Sequence, residues 1–290
     1  MDSIKVLVTG AGAPGFMGTF KSLVHNYDSR KIDIVGCDAK DNVMGKYILP
    51  KFYQVPNGNE EGYIEAIRKI YDKEKIDVIL PQCTNEIYPL SQSDMRVAIS
   101  KVAGIANDKA VVYGMAEARK IPVPKWIKIE GNVVIKPTIS NGGKGLKIIE
   151  NNGKVLVSEY LEGDEYTVDC FRSTKTFNGG QDVFVAIPRL REEIRNGITW
   201  KSKVVYSQEL IEYSKRLAEG LHLKYAFGFQ FKGGKLLECN PRIQGTMVHS
   251  TLAGANIIYS AVKLALKEPI PEFKIDWNSK MIRYTMCKAI

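Results

Sequence analysis

Two rhythms of apolar residues divide the chain. Up to about residue 100 the strand-like segments Ile4–Thr9 and Ile32–Cys37 are mostly apolar without strict alternation, as in strands covered on both faces of a parallel sheet. Around them the pattern predicts helices over Phe20–Tyr27 and Gly62–Lys73, a short segment over Tyr47–Val55 and a strand over Asp77–Leu80. Alternating strands and helices make a Rossmann-like parallel unit, ending near Ala98–Ala106. A helix then follows from Asn107, with Asn107 or Asp108 as its cap and Ile121-Pro-Val-Pro as its extended exit.

Beyond it the rhythm shifts toward period two. Val133–Asp169 reads as strand, glycine loop and strand, Val183–Pro188 as a further strand, and Ser207–Leu221 as an amphipathic helix. Ala226–Arg242 alternates on both sides of Gly233-Gly234, which predicts a hairpin. A small-residue helix is expected over Ser250–Ala265, and a last strand or tail over Asn278–Lys288.

Alternation places Leu236, Glu238 and Asn240 on one face of the second hairpin strand, and Leu237 and Cys239 on the other. A carboxylate and an amide oxygen two residues apart make an oxygen site for Mg²⁺. Gln230 can join them only if the turn is odd or carries a bulge, because a two-residue Gly-Gly turn in regular pairing sets Gln230 opposite Leu237. An odd loop or bulge is therefore expected.

The loop Ser140–Gly145 holds three glycines in four positions, with Lys136 before it and Lys144 within it. Its backbone N–H groups could cradle a polyphosphate, although an ordinary glycine-tipped hairpin has the same outline and the Walker spacing is missing. Gly10, Gly12 and Gly15, with Asp38 after the second strand, fit a dinucleotide fingerprint interrupted by Pro14; a tight strand-to-helix turn fits equally. Thr84, Asn85 and Glu86 lie just past a strand end, where open α/β sheets bind ligands, and Thr84 or Asn85 could equally cap a helix. Lys109 falls in the first turn of its helix, a poor place for a cation unless an anion is near.

Composition narrows the classes. With 290 residues, 44% hydrophobic and 25% charged, the chain can bury two or three packed units. The start runs from an acidic residue straight into a strand, so no signal peptide, membrane span or disulfide framework is expected, and a cytoplasmic location is. The five cysteines are scattered without a C-x-x-C, which argues against zinc. The net charge of +9 is spread without arginine-rich tails or aromatic interleaving, so no nucleic-acid partner is expected.

Leu236-Leu-Glu-Cys-Asn-Pro-Arg242, the glycine loop and Glu159-Tyr-Leu-Glu-Gly-Asp-Glu-Tyr166 together resemble the ATP-grasp superfamily, especially its carbamoyl phosphate synthetase large-subunit and biotin carboxylase branch. The resemblance spans nearly the whole chain. It implies an α/β chain with a Rossmann-like unit over 1–106, a lid over 107–160 and a C-terminal antiparallel-sheet unit over 161–290. It further implies ATP and Mg²⁺ (or Mn²⁺) as cofactors and an acyl phosphate route joining a small carboxylate to an amine, with a homodimer through the first unit common in the family. Lys109 and Lys136 are similar to the residues holding the α- and β-phosphates, and Ser140, Asn141, Gly142, Gly143, Lys144 and Gly145 to the loop closing over them. Glu159, Tyr160 and Leu161 resemble the adenine hinge and Glu165 the ribose acid. Gln230, Glu238 and Asn240 resemble the metal ligands, and Arg242, with Arg189 and Arg191, the catalytic cations.

Two departures stand out. Many carbamoyl-phosphate-type chains carry arginine where this one has Lys136, and a true carbamoyl phosphate synthetase needs a tandem copy of the unit. A non-catalytic nucleotide-binding module is the second reading. The third, a nicotinamide-dependent dehydrogenase using Gly10–Gly15 and Asp38, leaves everything after residue 100 unexplained. The glycine loop is expected to take a fixed shape only with nucleotide bound.

Overall fold

Strands rich in valine and isoleucine, each with one polar residue near its start, Lys5 and Asp33, build the centre of the first sheet. In the computed structural model, which describes residues 3–138, 146–150, 153–174 and 182–284, β1 (Ile4–Thr9), β2 (Ile32–Asp38), β3 (Lys51–Gln54) and β4 (Val78–Leu80) form a parallel sheet in the order β3-β2-β1-β4. α1 (Phe16–Val24) follows β1 and α2 (Tyr63–Glu74) follows β3. α1 starts a turn earlier than the pattern predicts, because Phe16 is buried in the core and draws the first turn into the helix.

The second sheet is antiparallel throughout. β9 (Glu165–Ser173), β10 (Val183–Arg195), β11 (Ile198–Val204), β12 (Tyr225–Lys232), β13 (Lys235–Asn240) and β14 (Lys280–Ile282) lie in the order β13-β12-β9-β10-β11-β14. Between the two sheets in sequence, among the described residues, β5 (Trp126–Glu130) pairs only with β8 (Lys154–Ser158) and β6 (Val133–Ile135) only with β7 (Lys147–Ile149), giving two small ribbons. The glycine loop Ser140–Gly145, with its expected ordering, lies outside the described residues.

Helices join the layers. α3 (Lys109–Ala118) is capped by the Asp108 carboxylate, which accepts from the amides of Ala110 and Val111. It packs with α4 (Gln208–Gly220) into the core of the six-stranded sheet, so this start of the 107–160 segment shares a core with β12 and β13. The predicted helix over 250–265 is broken at Gly254, and α5 (Ile257–Ala265) restarts with Asn256 accepting from the Tyr259 amide at 3.0 Å. α5 is buried along its whole length in one core with Val6, Val8, Phe171 and Ala226. Burial of Ile257, Ile258, Val262 and Leu264 contributes roughly 1.5–3 kcal/mol each, and welds the two sheets together. Among the described residues no helix is long and apolar enough to cross a membrane.

Candidate active site

The hairpin carries the most informative local geometry. Gly233 and Gly234 both have positive φ, 54° and 78°, and close a two-residue turn in which Lys232 faces Lys235. Phe231 then pairs with Leu236, and after a bulge at Leu237 Gln230 pairs with Glu238. The expected bulge is present. It also corrects the face assignment: Leu236 is buried beside Cys239 and Phe229 in the core and does not share a face with Glu238. The carbonyl of Leu237 accepts from the Tyr113 hydroxyl at 2.8 Å, which ties the bulge to α3.

Glu238 is linked on both sides. Its Oε1 accepts from Asn240 Nδ2 at 3.0 Å, and its Oε2 lies 3.2 Å from Lys109 Nζ. The cation in the first helical turn thus finds its anion in Glu238. Arg242 donates to Asn240 Oδ1 at 3.3 Å, to Thr84 Oγ1 at 3.1 Å and to the Ile243 carbonyl at 3.0 Å. All three acceptors are neutral, and among the described residues Arg242 has no ion pair. Burial pushes its pKa down, and the nearby charges of Glu238 and Glu86 offset that only in part.

These residues open onto a cavity of about 410 Å³. Its wall also takes in Ala13, Pro14 and Gly15 from the first glycine loop, Gln82–Thr84 from beyond β4, Arg191 and Thr199 from β10 and β11, and 243–246 after β13. Gly15 packs on Gly245, and a side chain at position 15 would meet the Gly245 backbone at 2.8 Å, so the loops of the two sheets approach this closely only because residue 15 is glycine. Arg283 donates to the carbonyls of Pro14 and Gly245 and holds the contact.

The remaining candidates sort by position. Arg191 lines the cavity, forms an ion pair with Glu165, and donates to Gln230 Oε1 at 3.3 Å and Thr199 Oγ1 at 2.8 Å. Glu165 also lies 3.8 Å from Lys232. Arg189 does not line the cavity: it is wholly buried in a bidentate pair with Asp169 of the neighbouring strand, at 2.7 and 2.8 Å. Lys136 stands exposed after β6. Glu159 accepts from Lys235 at 2.7 Å and from the Lys125 amide at 3.0 Å, which lowers its pKa; beside it Tyr160 is exposed and Leu161 buried, all three outside the cavity wall.

Of the 84–86 segment, only Thr84 lines the cavity. Glu86 turns inward and accepts from Thr9 at 2.6 Å, Tyr63 at 2.9 Å and the amides of Gln82 and Cys83 at 2.8 and 2.7 Å, so it shapes the loop from behind. Asp38 accepts from the Gly12 and Lys40 amides at 2.8 and 2.9 Å, which engages the acid that the dehydrogenase reading relied on. Cys83 reaches the wall with its thiol pushed up to about 12 by burial and by Glu86, and is no nucleophile. Gln244 and Thr246 directly continue the Arg242 motif and could have been suspected on that ground. Thr199 carried no signal, since β10–β11 pairing alone brings it in.

Comparison with known proteins agrees with this layout. Residues 151–287 match the family "ATP-grasp in the biosynthetic pathway with Ter operon", and 6–104 match "PylC-like, N-terminal domain". The carbamoyl phosphate synthase large chain of Agathobacter rectalis is 28% identical over 207 residues, covering 60% of this chain and 18% of that one. The chain thus spans less than a fifth of the length of the curated relatives it matches. N5-carboxyaminoimidazole synthetase of Staphylococcus aureus, solved with ADP, superposes with a TM-score of 0.66 at 16% identity, over 94% of this chain and 80% of that one. The biotin carboxylase domain of Hydrogenobacter thermophilus 2-oxoglutarate carboxylase, solved with MgADP, ADP and bicarbonate, gives 0.68 at 13%, over 97% and 74%.

Proposed function

We propose that this chain, a member of the ATP-grasp superfamily, is an ATP-dependent ligase that activates a small carboxylate as an acyl phosphate and joins it to an amine or similar nucleophile. One observation carries the reading: Arg242, a desolvated cation without a carboxylate partner, stands beside the Gln230, Glu238 and Asn240 oxygens where the two sheets meet. In the reaction a carboxylate oxygen bonds to the γ-phosphorus as the bond to ADP breaks. The amine nitrogen then bonds to the acyl carbon, phosphate leaves, and the amine loses a proton. Positioning and charge neutralisation supply most of such catalysis, so no nucleophilic side chain is required.

The chain's own residues divide that work. Arg242 faces the transferred phosphoryl group, and Arg191 supports it from across the cavity while orienting Glu165 toward the ribose. Arg189 serves as a positioning residue that fixes the cavity floor through Asp169 and Thr246. Lys109, Lys136 and Ser140–Gly145 hold the phosphates, and Glu159–Leu161 meet the adenine. Glu238, Asn240 and Gln230 offer oxygen donors suited to a hard cation, and with a single carboxylate among them the phosphates must complete the set. Mg²⁺ or Mn²⁺ held there would neutralise phosphate charge.

Release of ADP and phosphate, measured over a panel of acid and amine pairs, tests the proposal. Turnover that requires both an acid and Mg²⁺ is expected. A protein that never binds Mg-ATP would overturn it, and Mg-ATP binding without turnover on a broad panel would favour a non-catalytic nucleotide module.

A further inference from the structure

Three threonines on the cavity wall each accept a hydrogen bond from a different arginine. Arg242 donates to Thr84 at 3.1 Å, Arg191 to Thr199 at 2.8 Å and Arg189 to Thr246 at 3.3 Å. A hydroxyl has one proton, and with its oxygen facing a guanidinium that proton is directed away from the cation. Among the described residues none of the three Oγ1 atoms has a second partner. Each is therefore a donor awaiting an acceptor, polarised by the charge behind it.

Gln244 also borders this wall, but its Nε2 is packed against Gly228 and faces the sheet, so the threonine hydroxyls carry the demand. Carboxylates are scarce by contrast: among the described residues Glu238 is the one acid on the wall, already engaged by Asn240 and Lys109. Apart from the Gln230, Glu238 and Asn240 oxygens, this side of the cavity is built to receive oxygen acceptors.

A simple monocarboxylate would satisfy Arg242 and leave the rest unpaired. We propose that the acid substrate carries a second oxyanion, a carboxylate or a phosphate, received by Thr199 and Thr246 while the reacting carboxylate faces Arg242. This substrate class rests on the ligase reading of the site.

Calorimetric titration of the intact chain tests it, with and without saturating Mg²⁺ and the non-hydrolysable β,γ-imido analogue of ATP. The probes are acetate and butyrate as monoanions, malonate and succinate as dicarboxylates, and phosphoglycolate as the phosphate arm. With the analogue bound, the dianions should bind at least about tenfold tighter than the monoanions, and the better arm identifies the second group. Thr199→Val and Thr246→Val should each weaken the dianions about tenfold and the monoanions little, while Thr199→Ser and Thr246→Ser retain the preference. Unchanged binding of the analogue shows that the variants are folded. Equal affinity for mono- and dianions would overturn the proposal, as would a dianion preference that vanishes once the analogue is bound, since the donors would then belong to its phosphates. Failure of the analogue to bind sinks the ligase reading instead, and the titrations without nucleotide still decide whether this wall selects dianions.

Discussion

The two regions expected to close on a nucleotide are built in opposite ways. Among the described residues of the 126–158 segment β6 and β7 pair only with each other, and Val134, Ile135, Ile148 and Ile149 are exposed. In the six-stranded sheet β12 lies between β13 and β9, with Phe227, Phe229 and Phe231 wholly buried beneath it. An isolated two-stranded ribbon is marginal in water, whereas a central strand with one face in a core has its register fixed. Gln230, Glu238 and Asn240 are thus held by a sheet with a core beneath it, while the place of Lys136 depends on a weakly braced ribbon.

The sharpest way to break this contrast is through ion pairs of the two regions. Asp169→Asn leaves Arg189 buried without its counter-charge and should cost about 3–5 kcal/mol in urea unfolding. Glu130→Gln, which removes the exposed Lys154–Glu130 pair at 3.9 Å, should cost less than about 0.5 kcal/mol by the same measurement. Comparable losses would mean that the ribbon is as tightly integrated as the sheet.

Activity should divide in the same way. Glu238→Gln removes the one charge of the preplaced oxygen set and should lower kcat about 100-fold or more with little change in ADP affinity. Lys136→Ala should instead weaken ATP binding about tenfold and spare kcat at saturation. Wild-type turnover in both variants would overturn the site assignment.

A smaller effect follows from pH. Burial, with Arg189 nearby, lowers the pKa of His249 from 6.5 to about 4. The unfolded chain therefore takes up this proton first as pH falls, so its contribution to stability is full above pH 6.5 and is lost on the way down to about pH 4. His249→Gln should flatten that part of the acid limb by roughly 1–3 kcal/mol, read from urea melts at pH 7 and pH 4.5. The smallest expected signal is in hydrogen exchange, where β6–β7 amides should exchange well before those of β12.

Much of the site was legible because its residues are close in sequence. Glu238, Asn240 and Arg242 follow one another on a strand and its exit, and the need for a bulge followed from Gln230 and a two-residue turn. What failed did so through tertiary packing. The bulge moved Leu236 to the core face, Arg189 found Asp169 across the sheet, and Glu86 turned inward to Thr9 and Tyr63. Period two counts positions along a strand, and it cannot register one extra residue or the carboxylate that a buried cation will meet.

By itself the sequence determined the two kinds of sheet, the turn at Gly233-Gly234 and the oxygen face of the hairpin, since propensity, alternation and turn chemistry act over a few residues. Tertiary structure alone decided that Pro14, Thr84, Arg191, Thr199 and Arg242 share one cavity. They lie up to 228 positions apart, between residues 14 and 242, and only the packing of α5 between the sheets and the contact of Gly15 with Gly245 bring them together.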